Sequence, residues 1–393
     1  MVMSKTLCCL AALFFLCPLV IRAHGSFVYV TNYGDGTVSQ FRANPNGTLT
    51  ALNPPTVKAW PRCHSLAADP TGRFLYVLSA LDWSRRNCLI SEYRINTGGR
   101  LTPLMPLHVS LPSSDTPYLL FIEPMGHFLY VLERGGMLFC FHIGATGTLK
   151  SVDLPPQDVG LRGSFGYSAV LDQTHSVFYA SGETRMTNAL FSWLTAFRVA
   201  KNGSLHSVRS LLFKGETQKA EGDDTANYLL QAVSAHRGRW VYLLYDWYSF
   251  SRVGPVLLQY KTHKGGGLVP LTPTIVPLNF DPKGAAADPL GKFLYILASP
   301  KHKGDAPETT NIVILAQYKL GSNGALGQLR QQIFDVPGGL SSPVFDPTGQ
   351  FLYLLTGNGV RSFRVGANGS VSLVGSRSIR AGREPLGMVF VRR

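Results

Sequence analysis

The stretch FVYVTNYGDGTVSQFRANPNGTLTAL, Phe27 to Leu52, decides the fold. Two short runs alternate apolar and polar residues, Gly-rich turns separate them, and no helical period intervenes, so the stretch predicts paired antiparallel strands. The pattern then recurs as FLYVLSALDW from Phe74, FLYVLERGG from Phe128, VFYASGETR from Val177, WVYLLYDWY from Trp240, FLYILASPK from Phe293 and FLYLLTGNG from Phe351. With Phe27 these make seven copies, whose starts lie 47 to 63 residues apart. That period suits a four-stranded propeller blade carrying loop insertions.

Each copy continues into a second strand, such as ISEYRI or LLQYKT, and then into a glycine turn such as NPNGTL, NTGGRL or KNGSL. Glycine supplies the positive φ that such hairpin turns need. Before six of the seven runs stands a further strand and turn, as in HSLAADPTGR and SPVFDPTGQ. Asp-Pro-x-Gly suits a type I turn, with proline at the second position and glycine at the fourth. The first copy lacks that leading strand, and PLGMVFV, Pro385 to Val391, supplies it from the other end of the chain. The expected fold is therefore all-β: a seven-bladed β-propeller of four-stranded antiparallel blades, its ring closed by the C-terminal strand completing the N-terminal blade, which leaves no open edge. One domain, residues 24–393, accounts for all seven copies. The recurring Gly-His and Trp-Asp pairs of WD40 blades are missing. In this register the Asn-Gly-Thr/Ser triplets at Asn46, Asn202 and Asn368 are turns first, and glycan acceptors only in a eukaryotic secretory path.

Composition agrees with a large folded core: 393 residues, 45% hydrophobic, with 40 Gly and 25 Pro to serve many turns. Residues 1–23 read as an export signal, in which Lys5 precedes the apolar run Leu7 to Ile21, with cleavage expected after Ala23 and a retained anchor as the alternative. The mature chain is then expected to be secreted or periplasmic, with no transmembrane span. The formal net charge is +14, and loss of Lys5 and Arg22 with the leader leaves +12. Such a charge favours polyanions, an acidic envelope polymer among them, without a signal for specific nucleic-acid binding. Three of the six cysteines leave with the leader, and Cys63, Cys88 and Cys140 remain. One Cys63–Cys88 disulfide and three buried thiols are both compatible with that odd count.

YVTNYGDGTVSQFRANPNGTLTAL and the repeated DPTGRFLYVL resemble the seven-bladed propellers grouped with bacterial 6-phosphogluconolactonase and the fungal muconate-lactonizing enzymes. YVTN, Tyr29 to Asn32, also resembles the YVTN propeller repeat of surface-layer proteins. The resemblance spans essentially all of the mature chain. It implies a lactonase-type carboxylic ester hydrolase that works without metal or cofactor on a small lactone. Within it, Tyr167 and Tyr228 stand where the family pattern places His and Arg, and Ser341-Ser342-Pro343 replaces an Arg-bearing segment.

Insertions concentrate on one face of the repeat array, in the loops after each second strand and in the connections between blades. That face, near the central channel, is where a ligand is expected. Lactone hydrolysis needs a base for water and a donor for the oxyanion. His64 is the candidate base and Arg62 the candidate anion clamp, the alternative for His64 being a hydrogen-bonded imidazole at a strand end. Trp60, Tyr118, Tyr167, Tyr228, Arg383 and Glu384 lie where strands lead into the channel and are candidate ligand contacts. Trp83 with Arg85 and Arg86, and Trp247 with Tyr248 and Arg252, mix aromatics and cations that can stack a carbohydrate or pair with acids. Lys301 to Asp305 and the acidic Glu221, Asp223 and Asp224 read as solvated loops, without the spacing of a calcium site. Two functions fit: a lactonase at the channel mouth, or a non-catalytic envelope propeller that binds carbohydrate, acidic polymer or protein. A propeller is a superfold, and architecture alone does not choose between them.

Overall fold

The computed structural model describes residues 25–82, 87–111, 116–152, 154–158, 164–172, 177–186, 189–214, 227–247, 254–263, 265–300, 312–336 and 343–393. The leader, Trp83, Arg85, Arg86, Glu221 to Asp224, Tyr248, Arg252, Lys301 to Asp305, Ser341 and Ser342 lie outside these residues.

Seven antiparallel sheets form seven blades. In blade 1 the strands Ser26–Asn32, Thr37–Ala43 and Leu49–Lys58 are joined by Pro385–Arg392, which pairs with the first of them from Ser26↔Arg392 to Asn32↔Pro385. The closure expected from the phase of the repeats is thus observed. Blades 2 to 6 begin with inner strands Cys63–Ala68, Pro117–Ile122, Ser164–Asp172, Asn227–Ala235 and Asp281–Ala287, and blade 7 with the short Val344–Phe345. Inner strands of successive blades touch from blade 7 through blade 1 and on to blade 6. In blades 3 and 7 the outer strand is split in two, Leu149–Ser151 with Gln157–Asp158 and Val371–Leu373 with Ile379–Arg380.

The core is a ring of seven apolar clusters, each filling one interface between neighbouring blades. This explains why FVYV and FLYV are continuously apolar rather than alternating. Phe74, Tyr76 and Leu78 face blade 3, whereas Leu75 and Val77 face blade 1, so both registers of the strand are buried. The opening stretch departs from simple alternation for the same reason: Val28 and Val30 face blade 7 while Phe27 and Tyr29 face blade 2.

The repeated Phe-Leu-Tyr also recognises the next blade's glycine turn. Tyr29, Tyr76, Tyr130, Tyr242 and Tyr295 donate their hydroxyls to the carbonyls of Gly99, Gly147, Gly203, Gly324 and Gly369, at 2.6 to 2.9 Å. The residue two before each tyrosine lays its ring on the same glycine, as Phe74 does on Gly147. These buried bonds push the tyrosine hydroxyls above their ordinary pKa by desolvation. On the same face, Asp69, Asp288 and Asp346 accept backbone N–H groups of their own turns, including Phe74, Phe293 and Phe351 at 2.6 to 2.7 Å.

Among the described residues the three cysteines, Cys63, Cys88 and Cys140, are free, three thiols rather than a disulfide and a thiol. Cys63 is fully buried and donates toward the carbonyls of Asn32 and Thr37 at 3.3 and 3.4 Å. Burial raises its pKa to about 12 and that of Cys88 to about 11. In protein lacking residues 1–23, a thiol-titrating disulfide reagent at pH 8 is expected to find neither Cys63 nor Cys88 until denaturant is added, and all three thiols afterwards. Rapid labelling of either in the native protein contradicts the packing described.

Candidate functional site at the channel mouth

Antiparallel pairing between the first and second strands slips by one residue near the start of six inner strands. The extra residues are His64, Tyr118, Tyr167, Leu230, Lys283 and Leu386. A bulge leaves its extra residue unpaired and re-aims the side chain. Repetition in blade after blade therefore sets a bulge at the same end of six inner strands. Tyr118 and Leu386 are exposed, while His64 and Lys283 keep part of their surface accessible.

Side chains following the bulges tie neighbouring inner strands together. Ser65 accepts the N–H of Leu120 at 3.1 Å, Ser168 that of Ala232 at 3.1 Å, and Gln231 that of Ala285 at 2.8 Å. Inner strands present an unpaired edge to the channel, and these bonds satisfy donors that the ladder leaves open.

His64 performs a related task. Its Nδ1 lies 3.1 Å from the Arg62 carbonyl and its Nε2 lies 3.2 Å from the Pro117 carbonyl, so one ring bridges blades 2 and 3. Desolvation dominates and lowers its pKa, against the two carbonyls, which favour the protonated ring. A neutral imidazole donates to one carbonyl only, and neither nitrogen is aimed at open space. This is the hydrogen-bonded strand-end imidazole of the alternative reading.

Backbone conformation singles out two of the predicted residues. Among the described residues only four outside glycine have positive φ, and Arg62 at 58° and Glu384 at 52° are two of them. Each stands two residues before its bulge, at the same register position in adjacent blades. An L side chain held there costs on the order of 1 kcal/mol, and such outliers cluster at functional sites.

A network in blade 1 holds Glu384 in place. Tyr33 N–H donates to the Glu384 carbonyl at 2.9 Å and Gly34 N–H to the Arg383 carbonyl at 3.1 Å. The carboxylate of Asp35 accepts Arg383 N–H at 2.8 Å, and Asn32 Oδ1 accepts Gly382 N–H at 3.0 Å. The Glu384 carboxylate itself lies over Gly34, and both Arg383 and Glu384 are exposed.

Other predicted residues are dispersed. Trp60 packs edge-on against His108 of the blade 2 outer strand, with ring centroids 5.2 Å apart, which draws it away from the channel. Tyr167 occupies the bulge of blade 4. Tyr228 stands two residues before the Leu230 bulge, level with Arg62 and Glu384. The side chains of Tyr167, Tyr228 and Trp247 are outside the described set, as is Trp83 altogether. Sequence reading missed Lys283, the bulge residue of blade 6. Counting back five residues from a turn acid finds four of the six bulges, as with His64 before Asp69 and Lys283 before Asp288.

No protein-family model and no curated protein matches the chain. Solved structures do match. A candidate 6-phosphogluconolactonase from Bacteroides uniformis superposes with a TM-score of 0.69 at 16% identity, covering 94% of this chain and 99% of its own. A second, from Bacteroides fragilis, gives 0.67 at 17%, with the same 94% and 99% coverage. The periplasmic gluconolactonase of Pseudomonas aeruginosa gives 0.65 at 17%, covering 93% and 99%. At such identities the likeness is one of fold, and at that level it bears out the resemblance drawn from the strand and turn residues.

Proposed function

We propose that this protein is an exported lactonase-like propeller that opens a small cyclic ester at the loop-rich mouth of its channel. The observation that carries the reading is the pair of strained, register-equivalent residues of opposite charge, Arg62 and Glu384, in adjacent blades. In the proposed chemistry the Glu384 carboxylate takes a proton from water as its oxygen attacks the ester carbonyl. Arg62 stabilises the tetrahedral oxyanion. Collapse expels the ring oxygen, which recovers the proton from Glu384 and leaves a hydroxy acid. His64 acts as a positioning residue, because its Nδ1 engages the carbonyl of Arg62 itself. Export is supported by the leader-like residues 1–23, and the periplasmic location of one structural neighbour points the same way.

Proton release by protein lacking residues 1–23, measured on a panel of five- and six-membered lactones, tests the proposal. Saturable turnover is expected with at least one lactone, falling about tenfold to a hundredfold in Arg62→Gln or Glu384→Gln. Glu384→Gly is the sharper variant: it relieves the φ of 52°, so stability is expected to hold or rise by up to about 1 kcal/mol while turnover is lost. A folded protein inert on the whole panel removes the enzyme reading. The net charge of +12 that remains without residues 1–23 then favours the envelope-binding alternative, to be tested with acidic polymers and glycans.

A further inference from the structure

On the opposite face, where the short turns lie, a hollow of about 530 Å³ opens across blades 5 and 6 and reaches the Ala367–Asn368 turn of blade 7. Its rim carries four cations, Arg239, Lys292, Lys319 and Arg330, and among the described residues no acid lines it. Asp288, the acid that interacts with Lys292, is 4% exposed and accepts the N–H groups of Lys292 and Phe293 at 2.6 and 2.7 Å. Four cations in one small concavity repel one another unless an anion joins them.

Two departures from the repeat build this hollow. Turns in blades 2, 3, 6 and 7 begin on an acid, Asp69, Glu123, Asp288 or Asp346, which caps backbone N–H groups. In blade 5 that position is Ala235, followed by His236 at φ 51°, Arg237 at φ 60° and Gly238 at φ 92°. The anionic cap is gone, and a strained turn lays the His236 ring 5.1 Å from Trp240, with the Arg239 guanidinium 5.5 Å from the same indole. His236 and Arg237 are the other two non-glycine residues of positive φ among the described residues.

The second departure concerns Gln317. Its counterparts Gln40 and Gln259 accept the N–H of the next blade's outer strand, at Leu101 and Leu326. In blade 6 that partner, Val371 N–H, is taken by Gln332 at 2.7 Å. Gln317 donates instead to the Asn368 carbonyl, and its Oε1 has no hydrogen-bond partner although the residue is 4% exposed. Trp240, also 4% exposed, stands where most blades have Phe, and its Nε1 likewise has no partner. Both atoms are closed off from solvent, packed beneath the cationic rim.

We propose that this hollow binds a small ligand bearing at least two phosphate or carboxylate groups. The anionic groups meet the rim cations Arg239, Lys292, Lys319 and Arg330. The site is independent of the channel mouth and of the lactonase reading. Calorimetric titration with citrate, tricarballylate (citrate without its hydroxyl) and inorganic pyrophosphate tests it. Saturable binding is expected that weakens as salt rises, with tighter binding of pyrophosphate assigning phosphate and of citrate assigning carboxylate. The exposed double variant Lys319→Gln, Arg330→Gln is expected to weaken it at least tenfold. Arg209→Gln with Arg377→Gln, which removes the same charge outside the hollow, is expected to leave it unchanged. Absence of saturable binding by all three probes, or equal loss in the two double variants, overturns the proposal.

Discussion

Replacing Gly47 by alanine is expected to destabilise the fold by about 3 kcal/mol or more, because two independent penalties fall on one methyl group. Gly47 has φ 85°, where an L residue is strained by on the order of 1 to 2 kcal/mol. A Cβ there also falls within the ring of Phe351, so the aromatic must leave its place in the interface between blades 7 and 1. That interface is the one across which the ring closes, and Phe351 has little room to retreat at 5% exposure. Urea unfolding of Gly47→Ala beside Gly98→Ala makes the comparison internal, since a methyl on Gly98 meets nothing within 4 Å. Similar midpoints for the two variants contradict the stacking of each blade's aromatic on the next blade's turn.

The second large effect is a gain. Glu92 occupies the position that Gln40 and Gln259 hold in blades 1 and 5, and it accepts Leu149 N–H at 3.0 Å as they accept Leu101 and Leu326. Each glutamine also donates through Nε2 to a proline carbonyl fourteen residues on, Pro54 or Pro273. Pro106 is the matching residue for Glu92, but an ionised carboxylate has no proton to give, and Glu92 Oε2 is left without a partner. Desolvation raises its pKa to about 7, opposed by the Leu149 N–H. A folded-state pKa above the unfolded value means the unfolded state sheds its proton first as pH rises. The contribution of Glu92 is therefore intact below about pH 4.5 and is lost as pH climbs through about 7. Glu92→Gln restores the donor and removes the charge. It is expected to stabilise the protein by about 2 kcal/mol at pH 8.5 and by nothing measurable at pH 4. Equal midpoints for variant and parent at pH 8.5 refute the assignment.

Much of the fold was legible in the order of residues. Turn chemistry at seven Gly positions and the missing first strand identified the blade count and the closure, because turn residues act locally and a repeat displays the same local physics seven times. The continuous apolar character of FLYV was visible too, but its cause was not: each strand is buried on both faces by neighbouring blades that lie about fifty residues away. The site was less legible. Arg62 and Glu384 could be named as polar residues beside the channel, yet their left-handed backbone and equivalent register emerge only from pairing with the second strand. His64 looked like a base from its type alone, and the two carbonyls that hold it belong to the turn just before its strand and to the next blade. Trp60 looked like a channel residue, and His108 on the outer strand drew it elsewhere.

By itself, then, the sequence determined architecture: blade number, strand order, ring closure and the face that carries long loops, all consequences of local turn and strand preferences repeated in register. Tertiary structure decided which side chains meet. Glu92 without a donor, Gln317 without a partner and the strained pair at the channel mouth depend on what the adjacent blade presents, and contact between blades joins residues whose separation in the chain carries no local signal.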